Sequence, residues 1–149
     1  MLFCKKVLIA AAAAVFCCVM AGSAASESRP RMLYFHIGGE VLQCTAAKNS
    51  TTDALFEKLK GGDLEFEMDD YGGFEKVGDL GFALPENNEP LSTESGDVTL
   101  YQGSKLAIYY GHNSWSLTPV GRISGTTAAE LRQLLGNGLI RVRLSLGKQ

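Results

Sequence analysis

In the stretch MLYFHIGGEVLQCTA, Met32 to Ala46, apolar residues fall on alternate positions: Leu33, Phe35 and Ile37, then Leu42, Cys44 and Ala46. A period of two belongs to a pleated strand, whose successive side chains point to opposite faces. Gly38-Gly39 interrupts the alternation at the point where a two-residue hairpin needs positive backbone angles. The stretch therefore predicts two antiparallel strands sharing one apolar face. Cys44 lies on that face and reads as a small core residue rather than a nucleophile. His36 reads as a polar residue on the solvent side.

The same rhythm recurs outward from the hairpin. Leu64, Phe66 and Met68 alternate with Glu65, Glu67 and Asp69. Val98 and Leu100 follow, then Leu106, Ile108 and Tyr110. Ile140, Val142, Leu144 and Leu146 end the series, with Arg141, Arg143 and Ser145 turned to water. Two helices interrupt the strands. One opens at Ser50-Thr51-Thr52-Asp53 with Ser50 as its cap, carries Leu55, Phe56 and Leu59 on its apolar stripe, and stops at Gly61-Gly62. The other opens on the capping box Thr127 to Glu130, turns Ala128, Leu131, Leu134 and Leu135 inward, and stops at Gly136. Leu80 to Asp97, rich in Pro, Asn, Glu and Ser, reads as an exposed loop. Short antiparallel strands with no βαβ rhythm predict a mainly β fold, a closed or nearly closed barrel with the two helices plugging its ends. Closure removes the free strand edges that invite aggregation.

The beginning of the chain has a different character. Lys5 and Lys6 precede an unbroken apolar run from Val7 to Ala21, and Ser23-Ala24-Ala25 offers a small-x-small cleavage site. This is the layout of a secretory signal peptide, and the run is shorter than the roughly 20 residues of a spanning helix. Residues 1–25 are expected to be a cleaved leader, 26–31 a short linker and 32–147 the folded domain. The product would be exported, periplasmic or extracellular, with no membrane span after cleavage. Cys17 and Cys18 lack the small preceding residue that lipid modification asks for. Cleavage removes two lysines and no acid, so the net charge moves from −2 to −4, and Cys44 is left as the one cysteine of four. No internal disulfide is then available, and a mildly acidic domain has no electrostatic grip on nucleic acid.

Most chemistry is poorly served by these residues. His36, His112 and Cys44 are too scattered for a metal site, and no cofactor is expected. Ser114 and His112 have no nucleophile elbow around them. Tyr71-Gly72-Gly73-Phe74 lacks the lysine and helix of a phosphate loop. The densest mixture of aromatic and polar side chains is YYGHNSWSLTPVGRI, Tyr109 to Ile123. It reads as a strand end, a loop from His112 to Pro119, and a returning strand. The loop is either a rim packed by Trp115 or a recognition surface. In the second reading Trp115 and Tyr109 supply flat apolar area, while His112, Asn113 and Arg122 supply directional donors.

Several segments in this order resemble a known family. They are Asn49 to Thr52 followed by Ala54-Leu55, Met68 to Lys76, Leu84-Pro85, Gly96 to Tyr101, and Val120 to Ile123. From Ile37 to Leu146 the chain is similar to the bacterial cyclophilin-like domain family. That resemblance implies an eight-stranded barrel related to the one in cyclophilin prolyl isomerases. It departs from the family pattern at Lys48, where an acid is usual, and at Leu117, where an aromatic is usual. Cyclophilins themselves place an arginine in a Phe-His-Arg setting, and here Phe35-His36 is followed by Ile37 on the first strand. An isomerase reading would need Arg122 as donor with Phe74 and Trp115 as pocket walls. The favoured expectation is a non-catalytic module for a peptide or small molecule. Its candidate ligand-binding residues are Phe74, Glu75, Tyr109, His112, Asn113, Trp115 and Arg122. A prolyl isomerase and a structural, self-assembling protein are the alternatives.

Overall fold

The computed structural model describes residues 28–149; the leader assigned to residues 1–25 lies outside them. The opening hairpin forms as its alternation requires. β1 (Met32–Ile37) pairs antiparallel with β2 (Glu40–Ala46), Phe35 opposite Leu42, and Gly38 and Gly39 take φ of 57° and 88°. β3 (Leu64–Tyr71), β4 (Glu75–Asp79), β5 (Glu89–Thr93), β6 (Asp97–Tyr101), β7 (Lys105–Tyr109), β8 (Asn113–Ser124) and β9 (Ile140–Ser145) complete the strands. Eight of them follow one another as β2-β1-β9-β3-β4-β7-β6-β8, and β8 pairs back onto β2 to close the barrel. The interior is filled by alternate residues such as Leu33, Phe35, Cys44, Met68, Leu100 and Leu144, each at most 1 % exposed. Helices α1 (Ser50–Lys60) and α2 (Ala128–Leu135) add Leu55, Leu59, Leu131 and Leu135 to the same core.

Five local expectations are corrected. The cap of α1 is Asn49, not Ser50: its side chain accepts from Thr52 N at 2.9 Å. The same amide donates to Pro119 O at 2.7 Å, a tie to β8 that a serine is too short to make. In α2, Ala128 is exposed, because the inward stripe is narrow and runs through Leu131 and Leu135. Ser145 is buried rather than turned to water, and its hydroxyl lies 2.8 Å from His36 Nε2. The expected loop from Leu80 to Asp97 contains β5. The expected loop from His112 to Pro119 is instead the first half of β8.

That last correction shapes the molecule. β8 runs for 12 residues and serves two sheets in succession. From Thr118 onward it is barrel wall, paired with β6 and then with β2. From Asn113 to Leu117 it leaves the wall and pairs with β5 alone, Trp115 opposite Leu91. The two directions meet at a register irregularity opposite Val98 and Thr99, beside Pro119. An extra residue in one strand bends it, and proline, with no N–H to give a ladder, is tolerated there. The β5–β8 arm therefore lies outside the barrel. Its near ends are fastened by Asn87 N, which donates to Thr118 Oγ1 at 2.8 Å, and by Thr118 Oγ1, which donates to Asn88 Oδ1 at 2.8 Å.

Candidate functional site

Between the arm and the outer face of the barrel is a second, smaller apolar cluster. Ala107 and Tyr109 of β7 and Leu117 of β8 are almost fully buried there, with Phe74, Val77 and Leu91 packed around them. Val77, Ala107 and Tyr109 are outward-facing positions of the barrel wall, which on a bare barrel would meet water; Leu91 and Leu117 come from the arm that covers them. Covering them leaves an open cavity of about 400 Å³. The volume falls within the range typical of small-molecule sites, about 300–1,000 Å³.

Each wall follows from strand alternation. Asn113, Trp115 and Leu117 face the cavity from β8, while Ser114 and Ser116 between them are exposed. Lys105, Ala107 and Tyr109 face it from β7, Glu75 and Val77 from β4, Tyr101 from β6. Tyr71 and Phe74 enter from the β3–β4 turn. The Phe74 ring lies nearly parallel to Tyr109, at 8° and 6.3 Å between centroids, and edge-on to Tyr71 at 6.4 Å. Trp115 remains 61 % exposed, an indole held open over an aromatic floor.

Phe74 owes its position to two glycines. Gly72 has φ of 62°, and any Cβ there would strike the Phe74 ring. At Gly111 a Cβ would stand 2.8 Å from Phe74 Cβ. The backbone N–H groups of Tyr110 and Gly111 both donate to Phe74 O at 2.9 Å, so the close approach is fixed on the main chain too.

Glu75 is the acidic group of the cavity. The residue is 7 % exposed, and burial pushes its carboxyl above the ordinary range, with the Tyr109 hydroxyl pulling it partly back. Burial and the Glu75 carboxylate together raise the Tyr109 phenol well above its usual value. The neighbouring Lys76 points the other way, into the barrel, where it is fully buried and pairs with Asp70 at 2.9 Å. Lys76 Nζ also donates to Gly138 O, while Asp70 accepts from Gly138 N at 2.6 Å. Thus one dipeptide sends an acid outward to the cavity and a base inward to the barrel. Two adjacent charges break the hydrophobic alternation, which is why β4 leaves no clear trace in the sequence pattern.

Of the residues singled out in the sequence, Phe74, Glu75, Tyr109, Asn113 and Trp115 line this one cavity. Tyr109 belongs to its floor, at 1 % exposure, rather than to an open rim. His112 is exposed at the start of the arm and donates from Nδ1 to Thr93 O at 2.7 Å, pinning β5 to β8. Arg122 stands apart from the cavity in the barrel-wall half of β8, paired with Asp97 at 2.5 Å and Glu94 at 3.4 Å. Tyr71, Val77, Tyr101, Lys105 and Ala107 complete the walls and were missed, while Leu117, marked in the sequence only as a departure from the family pattern, lines the cavity too. Their signal was the outward half of the same alternation that placed the core. Cys44 is buried in the barrel with its thiol pushed up to about 12 by burial and by Asp97, so it is no nucleophile. Among the described residues no cluster of three His, Cys, Asp or Glu side chains is placed to hold a metal, and no helix is long and apolar enough to cross a membrane.

A closed eight-stranded antiparallel barrel with two helices packed on its core is the architecture of a cyclophilin-like domain. Residues 35–145 match the Cyclophilin-like family, and the chain belongs to it. Its fold is similar to that of a hypothetical protein from Archaeoglobus fulgidus whose solution structure is known. The two share 12 % identity at a TM-score of 0.61, over 79 % of this chain and 95 % of the other. No curated protein matches the chain.

Proposed function

We propose that this protein is a non-catalytic binding module, exported, that takes a small molecule or a peptide side chain into the cavity between its β5–β8 arm and its barrel. The observation that carries this reading is Trp115. A large aromatic that is 61 % exposed, over an apolar floor already built from Phe74 and Tyr109, is contact surface awaiting a partner. Aromatic side chains that offer area at little entropic cost dominate binding energy where they are buried by a ligand. Export is supported by the apolar run from Val7 to Ala21 behind Lys5 and Lys6.

The isomerase reading loses its proposed donor. Arg122 is turned to Asp97 and Glu94, away from the walls it was to work with, and a shared fold is weak support for shared chemistry.

Trp115 is the one tryptophan of the chain, so its fluorescence reports on the cavity directly. Titrating a panel of aromatic fragments and short X-Pro and non-Pro peptides should shift or quench that emission saturably. By calorimetry, Trp115→Ala should weaken the same partner by about 2 kcal/mol or more. It should change stability by only about 0.5 kcal/mol, as an exposed substitution does. A melt that collapses in Trp115→Ala, or a ligand held equally well without the indole, would sink the proposal.

A further inference from the structure

The cavity has opposite charges at its two ends, with apolar surface between them and aromatic side chains around it. Glu75 is in register with Tyr109 at one end of the β4–β7 pair; Asp79 is in register with Lys105 at the other. Four residues of extended strand put the two ends about 13 Å apart. The charged groups are not equally satisfied. Lys105 Nζ pairs with Asp79 at 3.5 Å, so its charge is already answered at the rim. Glu75 is 7 % exposed and has no basic partner among the described residues, because Lys76 points to the other face of β4 and is committed to Asp70.

A carboxylate withdrawn from water without a counter-charge is costly, and such a group is retained where something else supplies the charge. The surfaces beside it suit the same visitor. Trp, Tyr and Phe faces attract cations through their ring quadrupoles, Trp most strongly, and that attraction grows as water is excluded. Trp115, Phe74 and Tyr71 present such faces here. Burial also holds the Glu75 carboxyl above its ordinary range, as expected of an acid short of positive charge.

We propose that the ligand is an organic cation, an ammonium or guanidinium head seated against Glu75 with its apolar body lying along the aromatic walls toward Lys105. This rests on the reading of the cavity as a binding site and gives that site a charge preference. The same chemistry describes a free amine, a quaternary ammonium compound, or the Lys or Arg side chain of a peptide.

The test compares cations with neutral molecules of the same shape on the full domain: choline against 3,3-dimethyl-1-butanol, and n-butylguanidinium against n-butylurea. At least one cation is expected to bind tenfold or more tightly than its neutral partner. Glu75→Gln should abolish that preference, so that cation and neutral partner bind alike, which separates loss of charge from loss of shape. Equal or tighter binding of the neutral partners would overturn the cation proposal and leave the cavity standing as an apolar site. A preference that survives in Glu75→Gln, or no binding of any of the four, overturns it as well. The fragment and peptide panel on Trp115 fluorescence then decides separately whether the cavity binds anything.

Discussion

Glu75 and Lys76 are adjacent, both almost fully enclosed, and opposite in consequence. Lys76 is satisfied by Asp70 and Gly138, so the cost of burying it is met on the spot. Glu75 has no counter-charge among the described residues, so its burial is a liability. Its folded carboxyl takes up a proton more readily than the ordinary value of 4.5, so the folded state is penalised wherever the unfolded chain would be ionised. Below pH 4.5 both states are protonated and the penalty is absent; it grows as pH rises and is complete once the pH has passed the folded value. Glu75→Gln should therefore melt higher than wild type at pH 7, with the difference closing below pH 4.5. A lower melting point at neutral pH would show that the bond from the Tyr109 hydroxyl more than offsets the cost of burying the carboxylate. At this scale the sequence was partly legible. Trp115 and Asn113 stood out as types, but Arg122, equally conspicuous, belongs to a surface ion pair. Nothing in a linear pattern tells a guanidinium facing a cavity from one facing Asp97.

The elements divide the same way. Hydrophobic alternation located β1, β2, β3 and β9 because at least three consecutive inner positions of each are apolar. It failed at β4, where both faces carry a charge, and at β5 and the first half of β8. Those two pack against the outside of the barrel, so their apolar residues are few: Leu91, Trp115 and Leu117 among a glutamate, an asparagine, a threonine, a proline and serines. A strand that covers a wall rather than forming it resembles a loop in composition. The β3–β4 turn shows how tightly such outer packing is specified. Gly111→Ala would force its Cβ against Phe74, so it should cost about 1–3 kcal/mol of stability. Because the displaced ring is a cavity wall, ligand affinity should also fall, by at least tenfold. A control such as Gly39→Ala, where nothing lies within 4 Å, strains only its own positive φ and should spare binding. Equal loss of affinity in both variants would separate the cavity from the Phe74 seat.

For the molecule as a whole, barrel closure and site construction fall on one strand. The seam joins Cys44 of β2 to Ile123 of β8, residues far apart in the chain, and the arm that roofs the cavity is the continuation of the same β8. Pairings between distant segments are slow to form because the intervening chain must first be closed into a loop, which puts folding of such β topologies in the range of about milliseconds to seconds. The cavity is expected to form late, because its roof takes its position from the wall half of β8, which β6 and the seam hold together. Any ligand therefore meets nothing to hold in the transition state for folding. Stopped-flow chevrons with and without a bound ligand should then share their folding limb, while the unfolding limb drops by the full gain in stability. In kinetic terms the arm would then act as a latch on an already finished barrel: occupancy would lengthen the lifetime of the folded protein without hastening its birth.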